Sequence, residues 1–239
     1  MKIEEVFYWY VKYIRDLRRT RMICQQFYNK RYQIGLRPQL CDIEAEITYL
    51  RIRELKPRTV IEFSPCTGWS TLWMLCALRD NKLGKLYSYD LIDDSLKIIP
   101  DNLKGRWEFI QGDVKETLRL NEFGSVDYVF IDSDHSVKFA NWYIEQIFPY
   151  LGNVPVSIHD ICDSYDPDTN HAFPESHVIT KWIGDNKIDY FTASERTNKK
   201  IYDEIFRLKC ELKINKRICN SHRNSMVFFE EPCGGIVIK

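Results

Sequence analysis

Apolar residues recur at helical spacing over residues 6–23 and again over 43–55. Asp42 precedes the second run as an N-cap, Glu44 and Glu46 fill its first turn, and Pro57 ends it. The pattern then changes. Short β-branched or aromatic runs at 60–63, 85–89, 107–110, 128–131 and 156–158 alternate with helical runs at 70–79, 95–103, 115–120 and 137–150. Strands that alternate with helices, without tight hairpins, predict a parallel sheet covered on both faces. Beyond Pro174 the pattern gives a helix at 176–184, a strand at 190–193, a charged helix at 201–212 and a last strand at 226–229. The expected fold is therefore α/β, a Rossmann-like doubly wound, seven-stranded, mostly parallel sheet. Residues 1–56 form an N-terminal helical extension or lid, and 57–239 the main domain.

Composition adds boundaries. With 239 residues and 44% apolar content the chain can bury a full core. Lys plus Arg balances Asp plus Glu at 34 each, so net charge offers no pull toward nucleic acid or acidic lipid. Charge is uneven, however: residues 1–40 carry an excess of six positive charges and residues 90–134 an excess of six negative ones. Eight cysteines without a CxxC pair read as reduced thiols acting as small hydrophobes. The opening MKIEEVFYWYVKYIRDLRRTR has charges throughout and reads as neither a signal peptide nor a membrane span, which points to the cytoplasm.

Candidate chemistry collects where strands end, because ligands of an open parallel sheet lie beyond the carboxyl ends of its strands. The first strand runs into SPCTGWS, where Gly68 permits close backbone approach and a helix beginning at Ser70 aims free N–H groups at the turn. Neither GxGxxG nor GxxxxGK[ST] is present, and an acid at the strand end, Glu62, would repel phosphate. Asp90 closes the second strand and Asp113 follows the third. A carboxylate closing the second strand suits vicinal ribose hydroxyls, so acids without a phosphate cradle suggest a nucleoside with a cationic tail.

In order and spacing, IEFSPCTGWST, YDL, QGDV and IDSDH resemble a class I S-adenosylmethionine-dependent methyltransferase over about residues 60–161. The resemblance implies that Glu62, Ser64, Gly68, Trp69 and Ser70 neighbour the methionine end of that cofactor. It further implies that Asp90 and Leu91 hold the ribose, that Gly112, Asp113 and Val114 line the adenine, and that Asp132 closes the site. The sequence departs at Ser64, where the ExGxxxG pattern has its first glycine, and Pro65 removes one backbone donor. Within the class, IDSDH and SIHDIC resemble the macrocin-type, metal-linked O-methyltransferases. That resemblance implies a divalent ion, magnesium or manganese, on Asp132, His159 and Asp160. His159 replaces an acid there, and because magnesium prefers oxygen ligands the change leaves room for manganese, iron or no metal.

The chemistry requires a base or a metal, since a neutral alcohol is a poor nucleophile toward a sulfonium. Asp134 or His135 is the base if a metal is bound; His159, oriented by Asp160, is the base if none is. His135 could equally cap the following helix, and Glu175 could hydrogen-bond a sugar acceptor or serve a helix N-terminus. His171, His177 and His222 read as structural or solvent-facing. The expected acceptor is a small hydroxylated molecule such as a sugar, glycan end or secondary metabolite. Two other readings stay open: a binding or regulatory subunit without turnover, and an RNA-directed enzyme. For the latter the argument is the run Arg15, Arg18, Arg19, Arg21, Lys30 and Arg31 with aromatics between, which is also the pattern of a solvated amphipathic face. Aromatics in the first helix would serve the core, a pocket lid or a homodimer seam. No membrane partner is expected.

Overall fold

The computed structural model describes residues 1–162, 165–166, 171–172, 174–219, 225–230 and 232. The chain opens with α1 (Ile3–Lys12), α2 (Ile14–Asn29), α3 (Arg31–Ile34) and α4 (Asp42–Leu55). Then follow β1 (Thr59–Phe63), α5 (Trp69–Asn81), β2 (Lys85–Asp90), α6 (Asp94–Ile98), α7 (Asp101–Lys104), β3 (Trp107–Gln111), α8 (Val114–Thr117) and β4 (Tyr128–Ile131). The remainder is α9 (Val137–Gln146), α10 (Phe148–Leu151), β5 (Val156–Ile158), a ribbon of β6 (Tyr165–Asp166) and β7 (His171–Ala172), α11 (Pro174–Asn186), β8 (Tyr190–Phe191), α12 (Lys199–Glu211) and β9 (Val227–Phe229).

Seven strands form one sheet in the order β3-β2-β1-β4-β5-β9-β8, with β1 to β5 parallel and β9 antiparallel to both neighbours. Strand order reverses between β1 and β4, which puts the topological switch point beside the turn after β1. Alternation along each strand decides which helices it meets. Val60, Tyr128, Phe130 and Phe228 face a core shared with α1, α2, α4, α5 and α12. Ile61, Phe63, Val129, Ile131, Val227 and Phe229 face α9, α10 and α11. The first 56 residues are thus packed into one face of the sheet core.

Helix α4 is buried nearly all round, so it is a central layer and not a surface helix. Asp42 is its first residue and not its cap; Cys41 is the N-cap, and the Asp42 carboxylate accepts instead from the Ile218 and Cys219 amides at 2.7 and 2.8 Å. Three expected helices are interrupted. The first breaks at Tyr13. The run at 95–103 divides at Pro100, and the run at 137–150 divides before Pro149, because proline supplies no amide to the ladder. The basic run does not present one face: Arg21 turns inward to pair with Glu46, Arg18 donates to the Leu212 carbonyl, Arg19 pairs with Asp16, and Arg31 stacks on Tyr28 and Tyr32. Cys24, Cys41, Cys76 and Cys219 are buried and in the reduced form. No described helix is long and apolar enough to cross a membrane.

Candidate functional site

The turn after β1 is held in an unusual backbone state. Ser64, Cys66 and Gly68 have φ of +60°, +50° and +89°. Among the described residues, eight non-glycine residues have positive φ; Lys56, Lys82, Lys187 and Lys213 follow helix ends, and the other four are Ser64, Cys66, His135 and Asp160. Those four all lie where parallel strands end, and such strain collects at functional sites. Ser64 thus occupies the left-handed conformation that the expected glycine would adopt without cost. Ser64→Gly is expected to stabilise the fold by about 1 kcal/mol in urea unfolding; a loss of stability would show that the hydroxyl holds the turn.

Several residues expected to touch a cofactor also shape this turn. Glu62 is fully buried and accepts from the hydroxyls of Ser70 (2.6 Å), Thr71 (2.9 Å) and Ser88 (2.5 Å). Burial raises its pKa to about 7 against the opposing pull of those three donors. Trp69 is buried and donates its indole N–H to the Leu40 carbonyl at 3.2 Å, while Ser70 is spent on Glu62. Gly68 is required by packing: a Cβ there would lie 3.0 Å from Ile99 Cδ1. Val114 belongs to the core, and Asp113 caps α8 through the Lys115 amide. At Gly112, φ is +142° and a Cβ would meet Thr117 Cγ2 at 2.7 Å.

What the switch point offers a ligand is Asp90 and its surroundings. The half-buried Asp90 carboxylate accepts from the Cys66 amide at 2.8 Å and the Ile92 amide at 3.3 Å, which fixes it at the turn with acceptor capacity left over. Leu91 beside it is 68% exposed and Ile92 46%. A carboxylate for vicinal hydroxyls next to an exposed apolar surface fits a nucleoside. Residues 36–44 pass over this edge of the sheet, pinned where the Arg37 amide donates to Thr67 Oγ1 (2.9 Å) and where Trp69 meets Leu40.

One strand further along, the ends of β4 and β5 carry a compact ionisable cluster. His159 Nδ1 lies 3.3 Å from Asp132 Oδ1 and 3.4 Å from Asp160 Oδ2. His135 Nε2 faces the same two oxygens at 3.7 and 3.6 Å. His159 is only 2% exposed, yet neither of its ring nitrogens makes a hydrogen bond among the described residues. Burial opposes its protonation, but Asp132 and Asp160 outweigh burial and raise its pKa well above the ordinary histidine value. For Asp160, burial pushes the carboxyl up, and the facing His159, Ser225 and His135 more than offset it, holding the group well below the usual carboxylate range.

Donors bound to one first-row ion at about 2.0–2.2 Å stand about 3–3.5 Å apart. Asp132, His135 and Asp160 each bring a donor atom within 4.8 Å of the other two, close enough to share one ion. His159 Nδ1, at 3.3 and 3.4 Å from the same two carboxylates, has the spacing of a further ligand, while the His135 distances of 3.6 and 3.7 Å are slightly wider. A buried nitrogen without a hydrogen bond is the kind of polar atom a metal would satisfy. Residues expected here fall into two groups. Asp132, His135, His159 and Asp160 come together; Asp134 is exposed on the turn, its carboxylate accepting from the Ser136 amide at 2.9 Å. His135 is not a cap, since Ser136 caps α9 through the Phe139 amide. Glu44, Tyr143 and Ser225 were not foreseen in this role, for reasons of distance along the chain. Asp163, Asp168, Asn170, His222 and Cys233, with the side chains of Asp166 and His171, lie outside the described residues.

Residues 65–161 match the family model of a methyltransferase domain. No curated protein matches the chain. Among solved structures, the O-methyltransferase from Bacillus cereus in complex with S-adenosylhomocysteine superposes with a TM-score of 0.55 at 12% identity, covering 87% of this chain and 89% of that one. TomG from Streptomyces achromogenes, an O-methyltransferase of tomaymycin synthesis solved with S-adenosylmethionine, gives 0.51 at 14% identity, covering 71% and 81%. A methyltransferase from Podospora anserina bound to S-adenosylhomocysteine gives 0.51 at 13%, covering 72% and 82%. At these identities the superpositions establish the shared fold.

Proposed function

We propose that the chain, whose residues 65–161 match the family model of a methyltransferase domain, is a class I S-adenosylmethionine-dependent methyltransferase that transfers methyl to an oxygen of a small hydroxylated acceptor. The observation that carries this reading is the paired carboxylates and imidazoles at the ends of β4 and β5, one strand from the Asp90 cradle.

Methyl transfer from a sulfonium is an in-line displacement, so the acceptor oxygen must enter opposite the sulfur with its proton leaving. In this reading Asp90 holds the cofactor's ribose and the turn at 64–68 fixes its methionine end. The acceptor then lies over β4 and β5, among proton-accepting groups. A divalent ion, held by Asp132, Asp160, His159 and His135, would supply acidity to an acceptor hydroxyl. Where no ion is held, His135 and the two aspartates would instead orient that hydroxyl and stand close enough to receive its proton. A sugar, glycan end or secondary metabolite presents such a hydroxyl in a form this site would take. Inward-turned Arg21 and the scattered neighbours of the basic run favour these over RNA.

Calorimetry with S-adenosylhomocysteine, followed by labelled-methyl transfer to a panel of hydroxylated sugars, phenolic metabolites and capped RNA, tests the proposal. The expected outcome is donor binding with label appearing on an oxygen of a small molecule. Donor binding without turnover on any acceptor would support a regulatory subunit instead, and label on RNA would overturn the acceptor class.

A further inference from the structure

Two buried carboxylates from distant parts of the chain stand behind the two histidines. Glu44, on α4, has Oε2 3.5 Å from His159 Nε2, and the carboxylate is fixed by backbone amides of Cys41 (3.3 Å), Met226 (2.7 Å) and Ser225. Glu175, on α11, has Oε2 2.7 Å from His135 Nδ1 while its Oε1 accepts from the Tyr143 hydroxyl at 2.7 Å. Both side chains are 1% exposed. In each case the far imidazole nitrogen faces the glutamate and the near one faces Asp132 and Asp160.

Charge points the same way. Glu44, Asp132, Asp160 and Glu175 outnumber the two imidazoles, so the cluster is short of positive charge even with both rings protonated. Among the described residues no lysine or arginine pairs with any of the four. Buried and half-buried anions in that condition favour a cation between them. His135 Nδ1 is hydrogen-bonded to Glu175 at 2.7 Å, and His159 Nε2 faces Glu44 at 3.5 Å. An imidazole that gives one N–H to a carboxylate carries its lone pair on the other nitrogen, the arrangement by which outer carboxylates orient metal-bound histidines.

Resting on the reading of this cluster as the reaction centre, we propose that Glu44 and Glu175 are positioning residues: they turn one ring nitrogen each of His159 and His135 onto the Asp132–Asp160 pair. The result is a two-nitrogen, two-oxygen site for a first-row transition ion of the manganese-to-zinc group, not for magnesium. Imidazole donors suit those ions, while magnesium takes oxygen ligands and keeps its waters.

The test uses the full chain, stripped with a chelator and titrated with cobalt(II), manganese(II) and magnesium by equilibrium dialysis with metal analysis. One cobalt per chain is expected, not displaced by excess magnesium, with a visible absorption spectrum altered from that of the aquo ion by nitrogen ligation. Glu175→Gln and Glu44→Gln should each weaken cobalt binding by roughly 10- to 100-fold, with thermal midpoints recording the fold. Because Glu44 also holds three backbone amides, a loss of fold in its variant is read against Tyr143→Phe, which removes only the hydroxyl that bonds Glu175 and should still weaken cobalt binding. Displacement of cobalt by magnesium, or unchanged affinity in folded Glu175→Gln and Tyr143→Phe, overturns the inference. A chain that binds S-adenosylhomocysteine and transfers methyl but takes up no ion sinks this inference alone, whereas failure to bind S-adenosylhomocysteine sinks the functional reading.

Discussion

Asp160→Asn is expected to lower methyl transfer by roughly 10²- to 10⁴-fold while S-adenosylhomocysteine still binds as tightly as to the wild type. The split follows from position. Asp160 closes β5, facing both His159 and His135, and none of its contacts among the described residues touches Asp90 or the turn at 64–68. Asparagine is the right replacement because φ is +55° here, a conformation that Asn and Asp tolerate better than alanine. It also keeps an acceptor for Ser225 Oγ, 2.8 Å away, so the loop stays in place while the charge goes. Turnover measured under saturating donor, beside calorimetry, separates the two effects. Full activity in the variant would remove β5 from the reaction centre, and weakened donor binding would mean that the cofactor reaches further along the sheet than Asp90 suggests.

How much of this the chain disclosed beforehand depends on the range of each interaction. Strands such as Thr59–Phe63 and Tyr128–Ile131 were legible because each is a short β-branched or aromatic run between helical ones, and the acids that close them stand at fixed places in the motif. Asp132, His135, His159 and Asp160 were legible for the same reason. The enclosure of Glu62 was not legible, because a charge at a strand end looks available in one dimension. The hydroxyls that enclose it come from the next helix and from the neighbouring strand.

Glu44 illustrates the opposite error. Within its own segment it is an ordinary first-turn acid, and only the sheet brings it to a histidine 115 positions later. Glu175 carried two readings from sequence, acceptor contact or helix N-terminus, and a third is realised because its own amide bonds to the His135 carbonyl at 3.0 Å, bringing the two side chains together. The N-terminal helices therefore do more than cover the sheet. Through Glu44 they supply part of the wall of the ionisable cluster at the ends of β4 and β5.

That dependence makes the anchoring of α4 consequential, and its anchor is Glu46. The Glu46 carboxylate is fully buried, accepts from Tyr10 OH at 2.7 Å, and pairs with Lys209 at 2.8 Å and with Arg21. It ties α1, α2 and α12 to α4. Glu46→Ala leaves buried cations without their partner, an error that costs about 3–5 kcal/mol and should lower the melting temperature by on the order of 10 °C. Asp42, 3.8 Å from Arg21, keeps that guanidinium partly compensated, so most of the loss falls on Lys209. The cost belongs to the broken pair and not to the absence of charge: Arg21→Met, Glu46→Leu and Lys209→Met together should recover most of it, because well-packed apolar replacements of buried ion pairs are often neutral or stabilising. Urea unfolding at unchanged m-value is the measurement. A single Glu46→Ala variant within 1 kcal/mol of wild type, or a triple variant no better than the single, would show that the helices are held by apolar packing alone.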